Sequence, residues 1–276
     1  MASRLNPHLL ALTDDQSRLF YTMGAATSLL VPSGGLLTSE FLRSFDLGSG
    51  AIGAGFPVRR QSPNSYYAIP DIAALPGQPR SVAAIDFVSQ VDDTTGAVYG
   101  LGPDSLRIYD DGSPGPNFLG PKAFSCTSLV PGAAASRLYC WGGSAISRLA
   151  VDDKGVTLVD SFNLPSGSGS FGHMVFSGSI YTSTGLVVDA EEKRVLAQVQ
   201  AQGPVAVDGG LVYWLDASGS DPVNPSVMLR SFDIITLQPI AAKRINVTST
   251  DLSRLIACGQ GRMAFRAGHE IYIVNQ

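Results

Sequence analysis

Charge is scarce in this chain. Only 15% of its 276 residues are Asp, Glu, Lys or Arg, against about a quarter in an ordinary globular protein. The net charge is −4 and no basic cluster exceeds Arg59-Arg60, so no nucleic-acid partner is expected. No uncharged apolar run approaches the roughly 20 residues that span a bilayer, so no membrane insertion is expected. A signal-peptide pattern is also missing. After Met1–Arg4 the apolar run is only Leu9–Leu12, and Asp14-Asp15 follow at once. A cytoplasmic protein and a trimmed, exported one both fit this start.

Recognisable chemistry is equally thin. The chain has no GxSxG, no HExxH, no P-loop and no GxGxxG opening a helix. It has three histidines. His8 follows Pro7 at the start of a strand, and His269 sits in a hairpin turn, Gly268-His269-Glu270. His173, beside Phe171-Gly172, is the one expected to approach the axis of the fold, with a structural role as the plainer alternative. No cofactor is expected. Three cysteines leave at least one thiol unpaired within the chain, and their spacing does not suggest zinc. Cys126 and Cys140 flank a turn, Pro131–Ser136. If Val130 faces Ser136, Cys126 falls opposite Cys140 and a cross-strand disulfide becomes possible. The alternative is a pair of small buried apolar residues.

What the chain does have is turn formers and repetition. It contains 30 Gly and 17 Pro, and 45% of its residues are apolar, a composition for short strands joined by tight turns. The phrase Leu-Arg-Ser-Phe-Asp occurs at Leu42–Asp46 and again at Leu229–Asp233, with Leu-Arg-Ile-Tyr-Asp at Leu106–Asp110. Looser copies end at Asp152, Asp189 and Asn275, and the steps between successive end points are 64, 42, 37, 44 and 42 residues. An apolar-aromatic pair precedes each ending: Phe20-Tyr21, Val98-Tyr99, Leu138-Tyr139, Ile180-Tyr181, Val212-Tyr213 and Ala264-Phe265. Repeats at this period signal a repeat architecture.

The fifth copy reads as four antiparallel strands: Val205–Asp208, Leu211–Leu215, Val227–Phe232 and Leu237–Ile245. Gly209-Gly210 makes the first turn, and Asp216–Asn224 is a polar loop. The Asp ending each third strand can accept N–H bonds from the following turn. Four-stranded units stacked radially bury both faces of each sheet. The expected fold is therefore all-β, a β-propeller in one domain spanning residues 1–276. Six copies in 276 residues give 46 per blade; seven blades is the alternative, with an eroded copy inside the 64-residue step. Residues Ala2–Asn6 are expected to complete the last blade.

Asn6–Tyr21 resembles the YVTN-type β-propeller repeat of bacterial surface-layer-like proteins. In that repeat a Pro opens an apolar strand, Asp-Asp-Gly makes the turn and a Leu-Tyr-Val strand answers; here Gln16 stands where Gly is usual. Leu75–Ala84, Gly203–Val207 and Leu42–Gly53 resemble further parts of the unit. The resemblance implies a piece of a secreted or surface protein that binds or displays, and it carries no catalytic motif.

The expected function is a non-catalytic binding or adhesive module, extracellular or at the cell surface, monomeric, with a protein or glycan ligand. Tyr66 and Tyr67, in the irregular stretch Arg59–Gln78, are the expected contacts, against the alternative that both pack on the adjacent blade. Asp216–Asn224 offers weak calcium ligands at Asp216, Ser218, Ser220 and Asp221, without the closing Glu of a strong loop. A second loop, Leu164–Ser170, reads as plain connection, and Asn246-Val247-Thr248 is a glycosylation sequon. One competing class is a channel-centred, metal-dependent lyase or hydrolase, which needs His173 and several acids converging. Another is a structural spacer.

Overall fold

The structure, a computed structural model, describes residues 7–30, 36–53, 56–57, 65–92, 95, 98–120, 125–142, 144–165, 174–221, 223–259 and 261–275. Among them every regular element is a strand. The chain divides into two compact units, Met1–Phe162 and Asn163–Gln276.

The first unit holds three antiparallel sheets. One is β1 (Pro7–Leu12), β2 (Arg18–Leu30), β3 (Leu36–Asp46) and β4 (Phe56–Pro57), in that order. The next contains β5 (Ser65–Ala68), β6 (Ile72–Leu75), β7 (Gln78–Val91), β8 (Val98–Asp110) and β9 (Ser113–Pro114). The third is β10 (Ser128–Pro131), β11 (Arg137–Trp141), β12 (Ala145–Asp152) and β13 (Gly155–Asn163). The second unit repeats the pattern. Its sheets are β14 (Met174–Ser177), β15 (Ser179–Thr182), β16 (Leu186–Asp189) and β17 (Arg194–Gln198); then β18 (Val205–Asp208), β19 (Leu211–Asp216), β20 (Ser226–Asp233) and β21 (Pro239–Asn246). Its last described sheet has three strands, β22 (Leu252–Ala257), β23 (Arg262–Ala267) and β24 (Glu270–Asn275).

Packing follows from the two-residue period of a strand. Trp214 and Tyr213 are neighbours in β19, so they point to opposite faces. Trp214 joins Tyr181, Val187 and Phe232 in one core, while Tyr213 joins Leu229, Met263 and Phe265 in the next. The first unit works the same way. Phe20 and Leu42 pack against Ile72 and Val82, and Leu75, Ile85 and Leu106 pack against Leu129, Leu138 and Leu149. The outermost strands are different in kind: β17 and β21 are largely exposed.

The recurring phrase is the third strand of each sheet, and its terminal acid does the expected work. Asp46 accepts from the Ser49 N–H at 2.7 Å, Asp152 from Lys154 and Gly155 at 2.9 and 3.1 Å, and Asp189 from Glu191 and Glu192 at 3.1 and 3.0 Å. Asp233 accepts from the N–H groups of Ile235 and Thr236 at 3.0 and 2.7 Å. Asp110 departs from the pattern and accepts from the Ser81 hydroxyl at 3.2 Å. Bonds from Ser49, side chain first, hold the Asp46 carboxyl below its usual range. The N–H and hydroxyl of Thr236 do the same for Asp233.

Several expectations are corrected. The stretch Arg59–Gln78 is not all irregular: β5 and β6 lie within it, both paired with β7. They occupy one edge of β7 as a single strand interrupted at Ile69–Asp71, where Pro70 carries no N–H for the ladder. Val98-Tyr99 begins the third strand β8 rather than forming part of the second, which is β7. In the β10–β11 hairpin Val130 faces Tyr139, not Ser136, and Leu129 faces Cys140. Gly132 N–H closes the turn on Arg137 O at 2.9 Å, which leaves Ser136 inside the turn. Cys126 therefore lies ahead of β10 and reaches Cys140 from outside the register. The two sulfurs are bonded, with Cα atoms 5.6 Å apart, and Cys258 is free and exposed. Residues Ala2–Asn6 lie outside the described residues.

Two turns show why particular residues stand where they do. Gly209 and Gly210 have φ of 57° and 79°, the pair of positive angles that a type I′ hairpin needs. Gln16 has φ 56°, a left-handed position held by a residue other than glycine.

Replacing Gln16 with Gly should leave stability unchanged or raise it by up to about 1 kcal/mol, while Gln16→Val should lower it by about 1–2 kcal/mol, read by urea denaturation. The double change Cys126→Ala/Cys140→Ala should cost about 3 kcal/mol by the same measurement, from the lost loop constraint. An equal melting point with and without reductant would contradict that expectation.

Candidate functional site

The loop 217–225, joining β19 to β20, separates two pockets of the second unit. The first, about 580 Å³, is lined by Thr184, Gln198, Gln200, Gln202, Asp216 and Ser218, among others. The second, about 480 Å³, is lined by Ser220, Pro225, Thr248, Ser249 and Thr250 with parts of the same loop. Carboxamides and hydroxyls dominate the first described lining, and hydroxyls the second.

The first pocket is shaped by close backbone approach. The segment leaving β17 is fastened to the β15–β16 turn: Val199 N–H donates to Gly185 O at 2.9 Å, and Gly203 N–H donates to Ser183 O at 2.7 Å. Gly185 has φ 80°, and a Cβ there would lie 2.4 Å from Val199 O and 2.5 Å from Ala201 O. Only glycine permits that contact. Beneath the turn, the Trp214 indole N–H donates to Thr182 O at 2.9 Å. Its ring meets Phe232 edge-on at 5.3 Å.

Asp216 fixes the start of the loop. It is 4% exposed. One carboxylate oxygen accepts from Ser218 N–H at 2.7 Å, and the other lies 3.3 Å from Arg230 Nε. Ser220 Oγ accepts from Ser226 N–H at 2.9 Å, and Asp221 accepts from Val223 N–H at 2.9 Å. These oxygens serve the loop's own amides and an arginine instead of converging. Among the described residues no group of three or more His, Cys, Asp or Glu is placed to hold a metal ion. The second pocket's wall is similarly braced. Thr248 Oγ1 and the Tyr272 hydroxyl both donate to Glu270, at 3.0 and 2.7 Å. Those two bonds, Tyr272 first, hold the Glu270 carboxyl below its usual range.

Tyr66 and Tyr67 belong to the first unit, in β5, opposite Ser89 and Val88. Their side chains are outside the described set. His173 also lies outside the described residues. His269 is exposed at the β23–β24 turn. Sequence reasoning missed the three glutamines and the Thr-Ser-Thr run. The one available signal was the alternation Gln-Val-Gln-Ala-Gln at 198–202.

Two buried acids of the first unit also escaped notice. Asp71, 3% exposed, accepts from Leu129 N–H at 2.8 Å and from the Ser128 hydroxyl at 3.2 Å, so it ties the interruption between β5 and β6 to the next sheet. Asp86, 6% exposed, accepts from the Ser105 hydroxyl at 2.8 Å and lies 3.6 Å from Arg107 Nε. Arg107 in turn covers the Phe118 ring at 4.1 Å. Burial outweighs these partners and pushes the Asp86 carboxyl up to about 6.

No protein-family model matches the chain, and no curated protein matches it. Solved structures do. Citrobacter koseri AztD is 10% identical with a TM-score of 0.53, over 96% of this chain and 82% of that one. Kluyvelomyces marxianus Hsv2 is 13% identical with a TM-score of 0.56, over 98% and 72%. Kluyveromyces lactis Hsv2 is 12% identical with a TM-score of 0.50, over 94% and 69%. These neighbours are β-propellers. Together with six antiparallel sheets in chain order, the likeness defines the protein as an all-β, six-bladed β-propeller. At such low identity the likeness carries the fold alone.

Gly185→Ala should cost about 2–4 kcal/mol, combining left-handed strain with a backbone clash, measured by urea denaturation. Asp86 gives a pH test. Its folded value lies above the unfolded 3.8, so its ionisation opposes folding. The penalty is absent below about pH 4 and complete above about pH 6–7, with a ceiling of about 3 kcal/mol. Asp86→Asn should therefore gain stability relative to wild type as pH rises from 4 to 7. A constant difference across that range would contradict the assignment.

Proposed function

We propose that this propeller is a non-catalytic binding module whose ligand, a protein or a glycan, is met by the pocketed loop region of the second unit. The observation that carries this reading is the pair of polar pockets on either side of loop 217–225. Their walls are rigid, held by Trp214, Gly185 and the Glu270–Tyr272 pair, while their surfaces offer donors and acceptors not tied to one charge. A preformed polar concavity on a fixed scaffold suits recognition. Tyr66, Tyr67 and His173 stay in the proposal as further contacts, on the sequence argument alone.

The exported or cell-surface location is part of the same proposal. The buried Cys126–Cys140 bond supports it, since disulfides persist in oxidising compartments. So does the likeness of Asn6–Tyr21 to the YVTN-type repeat.

Labelled protein applied to glycan and peptide arrays should give hits. A variant with 217–224 replaced by Asn-Gly should lose them while keeping its far-UV spectrum. Hits that survive the shortened loop would remove the site from this region. No hits on either array would remove the binding reading and leave the spacer.

A further inference from the structure

Gln198, Gln200 and Gln202 are exposed and line the first pocket. Between them Val199 and Ala201 turn inward, against the core that holds Trp214. The alternation begins in β17, where Leu196 and Gln198 are exposed and Val195 and Ala197 are not. It continues past the strand because Val199 and Gly203 are fastened to the turn beneath. Side chains two apart on extended backbone recur at up to roughly 6.6 Å, and the bend at Gln200 shortens that spacing.

A carboxamide both donates and accepts. The edge of an extended peptide shows one N–H and C=O pair every second residue, the same two-residue period. Each glutamine of the row can therefore meet one backbone pair of a strand laid along the pocket. Two further features favour this partner. None of the described lining residues is aromatic, so among them none offers a stacking platform for a sugar ring. The single acid among the described lining residues, Asp216, already faces Arg230, so it offers no bare charge to select an ionic ligand.

We propose that the first pocket takes an extended, uncharged stretch of polypeptide, held through its backbone by Gln198, Gln200 and Gln202. This rests on the binding-module reading and narrows it to one ligand class. Recognition of this kind depends little on the peptide's sequence. The nearby hydroxyls of Thr184 and Ser218 limit the size of the side chains that fit.

The test uses the full chain on an array of random 10-residue linear peptides beside a glycan array. Fluorescence polarisation then follows on the strongest peptide. Gln200→Ala should weaken binding three- to tenfold, and the triple alanine variant about 100-fold, with Gln238→Ala, an exposed glutamine elsewhere, as an unaffected control. N-methylation at alternate residues of the peptide should weaken binding comparably, whereas changing its outward side chains should not. Unchanged spectra and melting would show that the variants fold. Peptide binding that survives the triple variant overturns the proposal but leaves the binding module standing. Glycan hits lost in the triple variant overturn it in favour of sugar recognition by the same row. Silence on both arrays overturns both readings.

Discussion

The second and third strands of the β10–β13, β14–β17 and β18–β21 sheets bury apolar side chains on both faces, and the rest of the structure depends on that constraint. A residue such as Trp214 points one way and Tyr213 the other, and both are buried. No sheet can satisfy that alone. Each must be covered by a sheet on either side, and within both units the cores consist of such shared faces. The outer strands are largely exposed, as β21 is with its Lys243 and Arg244.

The same constraint decides where chemistry can sit. Strand interiors are committed to packing, so polar groups collect where strands end and connect. The linings of both pockets come from the last residues of β17 and β19, the β15–β16 turn, the β17–β18 and β21–β22 segments, and the loop after β19. The bonds that fix these connections are backbone-directed, as with Trp214 to Thr182 and Asp216 to Ser218. The walls are thus held by the scaffold while the glutamine and threonine side chains remain turned outward.

Sequence legibility divides along this line. Third strands were readable because their terminal acids act on the next two or three residues, as Asp46, Asp152, Asp189 and Asp233 do. The fifth copy was readable almost residue by residue, since Gly209-Gly210 fixes one hairpin and Asp233 the other turn. Where structure depends on distant partners, the reading failed. The β5–β6 interruption looked irregular because Asp71 reaches its partner at Leu129, far along the chain. The Cys126–Cys140 register shifted because the turn closes between Gly132 and Arg137, with Ser136 inside it. Val98-Tyr99 matched the aromatic signature of a second strand, yet β8 is long enough to absorb it into the third. The pocket was least legible of all, since connection residues follow no period except the brief glutamine alternation.

The Cys126–Cys140 bond has a mechanical consequence. It joins the approach to β10 with the next-to-last residue of β11 across a separation of 14 residues. If the chain is pulled from its ends, the load bypasses everything between those two sulfurs. The β10–β11 hairpin tip then bears no tension, and about 45–50 Å of contour length, at roughly 3.3–3.6 Å per residue, stays hidden until the bond is reduced. Under force the protein would have two lengths, one for each redox state, and the reduced chain would yield the longer.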